Sequence, residues 1–286
     1  MARDTIAMEA APECDAIMSI NSCVRWVFCA ALMLFAATAS AETVRLTNGE
    51  WPPFTSSRKT GNNDILSLIV AEAFALEGVT VEYGYFPWKR AYDYAKSGKW
   101  DGSVGWAPTP EHLADFHMSQ PVLTVDKGLF YLNRTSFDWS SIDDLRSWRL
   151  GAAAGYSYGE SWDQAVKQGR LKVAEVSLDE QNIKKLIRGR VDVIAMEAAV
   201  ASYLMPRILT AEESATVVCH PRLITRTPIS LALTRQSDKS PQLLERFDRG
   251  LKKLVESGRY AKYMATLDTG ICQASRAGNG VGAGRQ

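Results

Sequence analysis

Apolar residues recur in two successive series along the chain, and each series alternates strand-like runs with helical spacing. In the first, apolar positions mark a strand at 43–46, recur every third or fourth residue after Asp64, and alternate over 79–85. Pro87 suits the first turn of a helix that Gly98 ends, and residues 100–106 follow as a strand. This order is typical of an α/β layer with a mainly parallel sheet.

The second series repeats this order after residue 126. It predicts strand 149–153, helix 160–168, strand 171–176, helix 179–188, strand 191–196 and helix 198–205. Asp179 is predicted to cap its helix, and Gly189 to end it. Two series of similar size predict two lobes.

The last third departs from this alternation. A strand is predicted at 229–234, followed by an amphipathic helix that begins at Ser240 and ends at Gly258. The hydrophobic periodicity does not indicate which lobe contains this strand and helix. Residues 271–286 are rich in glycine, alanine and serine, and we expect a disordered tail.

Composition places few limits on function. The 286 residues are 46% hydrophobic and 23% charged, as in ordinary globular proteins. The formal net charge of +1 gives no reason to expect a nucleic-acid partner. There are three histidines, and His112 and His117 are five apart, which does not suit one helix face. We therefore expect neither a metal nor a cofactor.

The N-terminus has the pattern of a secretory signal. Arg25 precedes an apolar run at 26–37, and Ala39-Ser40-Ala41 follows, which predicts cleavage before Glu42 and a periplasmic location. A retained membrane anchor is the alternative. Residues 1–17 carry four acidic residues, which are unsuited to a signal start, so Met18 is the predicted natural start.

Two cysteines, Cys219 and Cys272, remain after the predicted cleavage. An even number in an oxidising compartment permits one disulfide between them. Two buried free thiols are the alternative.

Three segments carry a family resemblance: Trp51-Pro52-Pro53-Phe54, Pro87-Trp88-Lys89-Arg90-Ala91, and the stretch from Lys99 to Ser119 with its loop Thr109-Pro110-Glu111-His112. Together they resemble solute-binding proteins of family 3, the periplasmic receptors of polar amino acid ABC importers, in a P-W-x-R-A variant. The resemblance implies a two-lobed type II periplasmic-binding-protein fold with two crossover hinges. It also implies a monomer that binds a small molecule and docks on a membrane permease supplied by other chains.

On this resemblance lobe 1 comprises residues 43–122 and 230–270, and lobe 2 comprises residues 127–225. The family's carboxylate-binding arginine is replaced by His112, its ligand-contacting hydroxyl residue by Ala107, and its ammonium-binding aspartate by Glu197. The ligand stays open between an amino acid, an amine and a small carboxylate. The residues expected at the ligand are Trp51, Phe54, Trp88, Gly105, Trp106, Ala107, His112, Tyr156, Ser157 and Glu197.

Three alternatives remain open. Gly155-Tyr156-Ser157-Tyr158-Gly159 matches the G-x-S-x-G nucleophile elbow, although the only histidine after the serine is His220. A loop whose backbone N–H groups face a ligand is the favoured interpretation. Cyclohexadienyl dehydratases resemble these receptors, so His112 and Glu197 could form an acid–base pair across the cleft. A ligand sensor for a membrane receptor is the third possibility.

Overall fold

The computed structural model describes residues 42–58, 64–267 and 272. The predicted signal peptide, its start at Met18 and the predicted tail lie outside these residues. The strands are β1 (Glu42–Asn48), β2 (Val79–Tyr85), β3 (Gly102–Trp106), β4 (Phe116–Met118), β5 (Leu123–Leu132), β6 (Leu150–Ala153), β7 (Val173–Val176), β8 (Val193–Glu197), β9 (Val217–Cys219) and β10 (Thr225–Thr234).

A 3-10 helix (Ile142–Ser147) precedes β6. The α-helices are α1 (Ile65–Ala75), α2 (Trp88–Lys96), α3 (Pro110–Asp115), α4 (Glu160–Lys167), α5 (Asp179–Ile187), α6 (Ala198–Ile208), α7 (Ala211–Thr216), α8 (Ser240–Glu256) and α9 (Arg259–Met264). None of the helices in the described part of the chain has both the length and the apolar character needed to cross a bilayer.

The first lobe is built on three parallel strands. β1 lies between β2 and β3 and pairs with both in parallel. The second half of β10 pairs antiparallel with β3 and with β4. Helices α1 and α8 pack together, and Phe74 and Phe247 meet there with ring centres 5.1 Å apart. Because β1, β2 and β3 run in parallel, their carboxyl ends lie at one edge of this sheet.

The second lobe repeats the parallel trio. β6 lies between β7 and β8 in parallel. β5 pairs antiparallel with β8 on one side, and with β9 and the first half of β10 on the other. β10 consequently contributes residues 225–229 to one sheet and residues 230–234 to the other. The result is a two-lobed α/β fold in which β10 and the segment leading into β5 connect the lobes.

The structure corrects several sequence predictions. β5, β9 and α7 were not predicted, and β10 begins at Thr225 rather than at 229. Residues 127–130 of β5 are all buried, so the strand lacks the alternation that identifies a half-exposed strand. Asp179 is the first residue of α5 rather than its cap, and Leu178 occupies the cap position without a side-chain hydrogen bond.

Cys219 on β9 and Cys272 are joined by a disulfide, with their Cα atoms 4.9 Å apart. Both residues are buried against the larger hydrophobic core. A Cβ atom on Gly128 would lie 2.9 Å from the sulfur of Cys219, so glycine leaves the room that the bridge occupies. The link ties the C-terminal segment to the second lobe.

Candidate functional site

The loop after β1 carries Trp51 and Phe54 inwards. They are 7% and 2% exposed, and their ring centres are 4.3 Å apart. Thr55 donates a hydrogen bond from its hydroxyl to the carbonyl oxygen of Gly49, which holds the loop against the end of β1. Both rings therefore belong to the packing of the first lobe, and Phe54 also lines a cavity described below.

Aromatic rings continue from this loop towards β3. The ring of Trp88 at the start of α2 lies 6.3 Å from Trp51 and 5.4 Å from Trp106, edge to face in both cases. Gly105 has φ +96°, a conformation that residues with a side chain rarely adopt, so glycine is favoured there. A Cβ at this position would also lie 3.1 Å from the Trp88 ring, which would have to shift slightly. Trp106 Nε1 donates to Ser103 Oγ at 2.8 Å. Trp51, Trp88 and Trp106 thus form a packed aromatic surface in the first lobe.

His112 is held by its own loop. Its backbone N–H donates to Thr109 Oγ1, the cap of α3, at 3.2 Å. Its Nδ1 lies 2.5 Å from the carbonyl oxygen of Ala107, so Nδ1 carries the proton and donates it to that carbonyl. The ring packs against Tyr92 and Trp106, with centres 5.6 and 5.1 Å away. Nε2 is thus the nitrogen left for a ligand, whereas an arginine would offer a fork of donors.

The loop 155–159 in the second lobe serves mainly to start α4. Ser157 donates its hydroxyl proton to the carboxylate of Asp163. The backbone N–H of Tyr158 donates to the same carboxylate at 3.0 Å, and that of Gly159 to Ser157 Oγ at 3.3 Å. Two backbone donors expected to face a ligand are therefore used within the loop. The serine is bound to a carboxylate rather than to an imidazole, which removes the basis for a nucleophile elbow.

Lys127 on β5 and Glu197 at the end of β8 form a buried ion pair. The two residues are opposite each other in antiparallel register, and Lys127 Nζ lies 3.6 Å from Glu197 Oε1. Their side chains are 7% and 3% exposed. Lys127 Nζ also donates a hydrogen bond to the carbonyl oxygen of Ser157. The chain's own lysine therefore occupies one side of the carboxylate that was expected to face a ligand.

The other oxygen of this carboxylate is unpaired. Glu197 Oε2 is buried and has no hydrogen-bond partner among the residues that the structure describes. Oδ1 of Asp179, at the start of α5, is also a buried atom without a hydrogen-bond partner among the described residues. Burial, the charge of Glu197 and the charge of Glu180 raise the pKa of Asp179 to about 7. Burial raises the pKa of Tyr156 well above its ordinary value, and the charges of Asp179 and Glu197 raise it further. These side chains thus form one electrostatically coupled cluster.

A cavity of about 200 Å³ lies where the lobes and their connecting strands meet. Its lining comes from both lobes: Phe54, Thr124, Val125, Asp126, Glu197, Ala199, Met264 and Leu267. Tyr156 and Ser157 instead line a separate groove of about 400 Å³ beside β7 and α4. Of the residues predicted from the sequence, the structure brings Phe54 and Glu197 to one cavity, and Trp88, Trp106 and His112 to one aromatic cluster.

Sequence reasoning missed Lys127 and the electrostatic role of Asp179. Lys127 stands in the sequence Asp126-Lys127-Gly128, where an exposed turn is the ordinary expectation. Only the pairing of β5 with β8 shows that it meets Glu197. Across residues 42–58, 64–267 and 272, no group of three or more histidine, cysteine, aspartate or glutamate side chains is placed to hold a metal ion.

Two lobes joined by crossing strands, with a buried carboxylate at an interlobe cavity, define a ligand-binding receptor. The chain belongs to the bacterial extracellular solute-binding proteins, family 3, whose sequence model matches residues 44–266. Its place is therefore outside the cytoplasm, periplasmic or secreted. No curated protein sequence matches the chain significantly.

Solved structures share the periplasmic-binding-protein fold of type II. A histidine kinase sensor domain similar to periplasmic binding proteins has a TM-score of 0.66 at 19% identity, over 79% of this chain and 96% of that one. An ancestral arginine-binding protein bound to arginine has a TM-score of 0.61 at 21% identity, over 79% of this chain and 97% of that one. An ancestral amino acid-binding protein, a precursor of cyclohexadienyl dehydratase, has a TM-score of 0.61 at 23% identity, over 79% of this chain and 94% of that one. At these identities the likeness shows the fold alone.

Proposed function

We propose that the protein is a periplasmic receptor that closes over a small polar ligand and presents it to an ABC importer. The ligand class is an amino acid or a related amine or carboxylate. The observation that carries this proposal is the half-paired Glu197 carboxylate, buried at a cavity lined by both lobes. A buried carboxylate oxygen without a partner is costly unless a ligand supplies the missing hydrogen bond.

Closure is proposed to take place about the two connecting segments, near residues 122–126 and 225–229. Residues 43–122 and 230–270 would move as lobe 1, and residues 127–225 as lobe 2. The exposed pair Asp126 and Arg226, 3.0 Å apart, lies across the two connecting strands. Contacts made only in the closed form, on Glu197 from one lobe and on the aromatic surface from the other, would favour that form.

Three further parts of the proposal concern the cell. Residues 1–41 would act as a signal peptide that is removed before Glu42, with Met18 as the natural start. The mature chain would work as a monomer. The permease and the ATPase would be other chains.

Binding can be tested with a thermal-shift and calorimetry panel of the twenty amino acids, putrescine, agmatine, succinate and glutarate. We expect at least one member to stabilise the protein and Glu197→Gln to weaken its binding at least tenfold, because the ligand loses a charged hydrogen bond. Glu245→Gln, an exposed change on α8, is the matched control and should bind as the wild type does.

Glu197→Gln leaves Lys127 buried without a counterion, so the neutral double variant Lys127→Met/Glu197→Gln serves as a second form without the carboxylate. Binding that both variants retain at wild-type strength would remove Glu197 from the site. A panel in which nothing stabilises the wild type would contradict a receptor for this ligand class.

An enzyme on the same scaffold is the second candidate. It is favoured by Asp179, whose pKa is raised to about 7 by burial and by the charge of Glu197, because groups with shifted pKa values are common at catalytic sites. The predicted pair of His112 and Glu197 is not favoured, since each is already bonded within its own lobe. Turnover of prephenate or arogenate by the purified protein would support a dehydratase. Binding without turnover would support the receptor.

A further inference from the structure

β7 is the outermost strand of the second lobe. It pairs in parallel with β6 on one side, and among the described residues no strand pairs with its other side. The carbonyl oxygen of Val176 accepts the backbone N–H of Ala154, which follows β6. Because alternate residues of a strand direct their backbone groups to opposite neighbours, those of the exposed Glu175 point to the open side. The open side of β7 can therefore receive a further strand.

The helices on either side of β7 lie on opposite faces of the sheet. α4 leads outwards from β6 to β7, and α5 leads back from β7 to β8, so right-handed connections place them on different faces. The core agrees with this placement, since Trp162 of α4 and Leu186 of α5 are buried in different hydrophobic clusters. A groove lies beside β7 on each face.

The groove between β7 and α5, of about 410 Å³, is strongly cationic. We call it the basic groove, after its side chains Lys184, Lys185, Arg188 and Arg190. Within the described part of the chain, none of these four side chains has an ion-pair partner. Glu175 also lines the groove, but strand alternation places its side chain on the face of α4. The basic groove therefore favours an acidic partner.

The groove on the other face has a different character. Its lining beside β7 and α4 is mostly apolar, with Tyr156, Trp162, Val166 and Val173 among its residues. Successive side chains of an extended strand point to opposite faces of a sheet. A strand added to β7 would thus send one set of side chains to the basic groove and the alternate set to the apolar one. The two grooves together specify an alternation of acidic and apolar residues.

We propose that the open side of β7 is a docking surface for a partner protein, which adds an extended segment with acidic residues at alternate positions. Main-chain hydrogen bonds to β7 would hold the segment, and the two grooves would select its side chains. A second copy of the chain is a poor occupant, because two-fold pairing of β7 would bring two basic grooves together. An anionic membrane would meet the positive charge but would leave the backbone groups of β7 unused. The surface is independent of the ligand site.

Docking can be tested with a fluorescent heptapeptide in which glutamate and valine alternate, followed by anisotropy. The wild type is expected to bind it, and Lys184→Glu/Arg188→Glu to bind at least about tenfold more weakly, because two attractive charges become repulsive. Both positions are exposed on α5, so the fold should be retained. Lys239→Glu/Lys262→Glu makes the same change of charge at exposed positions in the first lobe and should bind as the wild type does.

Strand pairing is tested on the peptide, which leaves the protein unaltered. In an extended segment either the glutamate amides or the valine amides face β7, so N-methylation of one set should abolish binding and N-methylation of the other should not. A block peptide of four glutamates followed by three valines has the same composition and charge. It should bind at least about tenfold more weakly, because its side chains do not alternate between the grooves.

The other occupants have their own outcomes. Vesicles with phosphatidylglycerol that bind the wild type while the peptide does not would assign the basic groove to a membrane. A dimer of the free protein, seen by light scattering and dissociated by the peptide, would assign β7 to a second copy. Either result would overturn the proposal, as would equal binding of the block peptide or equal binding by Lys184→Glu/Arg188→Glu. That variant should respond to the small-molecule panel as the wild type does, so failure of the docking surface is distinguishable from failure of the receptor.

Discussion

Lys127→Met is expected to lower the free energy of unfolding by about 3–5 kcal/mol, measured by urea denaturation at pH 7. Methionine is similar to lysine in length but has no charge, so Glu197 would be left as an unpaired carboxylate with its side chain 3% exposed. The carbonyl oxygen of Ser157 would lose its donor as well. Removing one partner of a buried ion pair costs more than the pair contributes, because the remaining charge stays without water.

The neutral double variant Lys127→Met/Glu197→Gln should recover most of this loss, since no charge is then left unpaired. Lys184→Met is a matched control, because Lys184 is exposed on α5 and the same substitution there should change stability by less than about 0.5 kcal/mol. A double variant whose loss equals the sum of the two single losses would show that Lys127 and Glu197 do not interact.

Reduction of the Cys219–Cys272 disulfide is expected to lower the free energy of unfolding by about 4 kcal/mol, as expected for a closed loop of this length. The two cysteines are 53 residues apart, so the bridge restricts a long segment of the unfolded chain. The measurement is urea denaturation with and without a thiol reductant.

The paired variant Cys219→Ser/Cys272→Ser is the control for the reductant, and its stability should not respond to it. A wild-type protein that is equally stable in oxidising and reducing buffer would contradict a contribution from the bridge. A single Cys272→Ser variant that matches the reduced wild type would show that the loss comes from the link itself.

The two parallel trios could be predicted from the sequence because their strands and helices have different periods. Helix α8 is the clearest case: Leu243, Phe247 and Leu251 recur on one face and are all buried. β5 could not be found in this way, because it lies between other strands and is buried along most of its length. Because β5 was not predicted, the sequence did not show that the ammonium group of Lys127 lies opposite Glu197.

The loop that carries His112 illustrates a second limit. The sequence predicts a loop at Thr109-Pro110-Glu111-His112, whereas in the structure Thr109 is the cap and Pro110 the first residue of α3. The sequence cannot indicate that Nδ1 of His112 donates to the carbonyl oxygen of Ala107, because that hydrogen bond depends on how the loop folds back over five residues. Ligand-contact predictions for Gly105, Ala107 and His112 therefore stay predictions.

Charge coupling is the third limit. Asp179 was recognised as a helix-start residue, which is a common place for an aspartate. Its altered pKa arises from burial and from Glu197, which lies 18 positions further along the chain. Only the sheet that brings the ends of β7 and β8 to one edge puts these carboxyl groups within range of each other.

Native mass spectrometry of the protein purified from an exporting cell tests the central claim most directly. We expect a bound amino acid, or a related amine or carboxylate, on the wild type and on Glu245→Gln. The same molecule should be absent from Lys127→Met/Glu197→Gln, which is expected to keep the fold and lacks the carboxylate. A molecule that the double variant retains at wild-type occupancy, or a wild-type protein that carries no bound small molecule, would contradict a ligand site at Glu197.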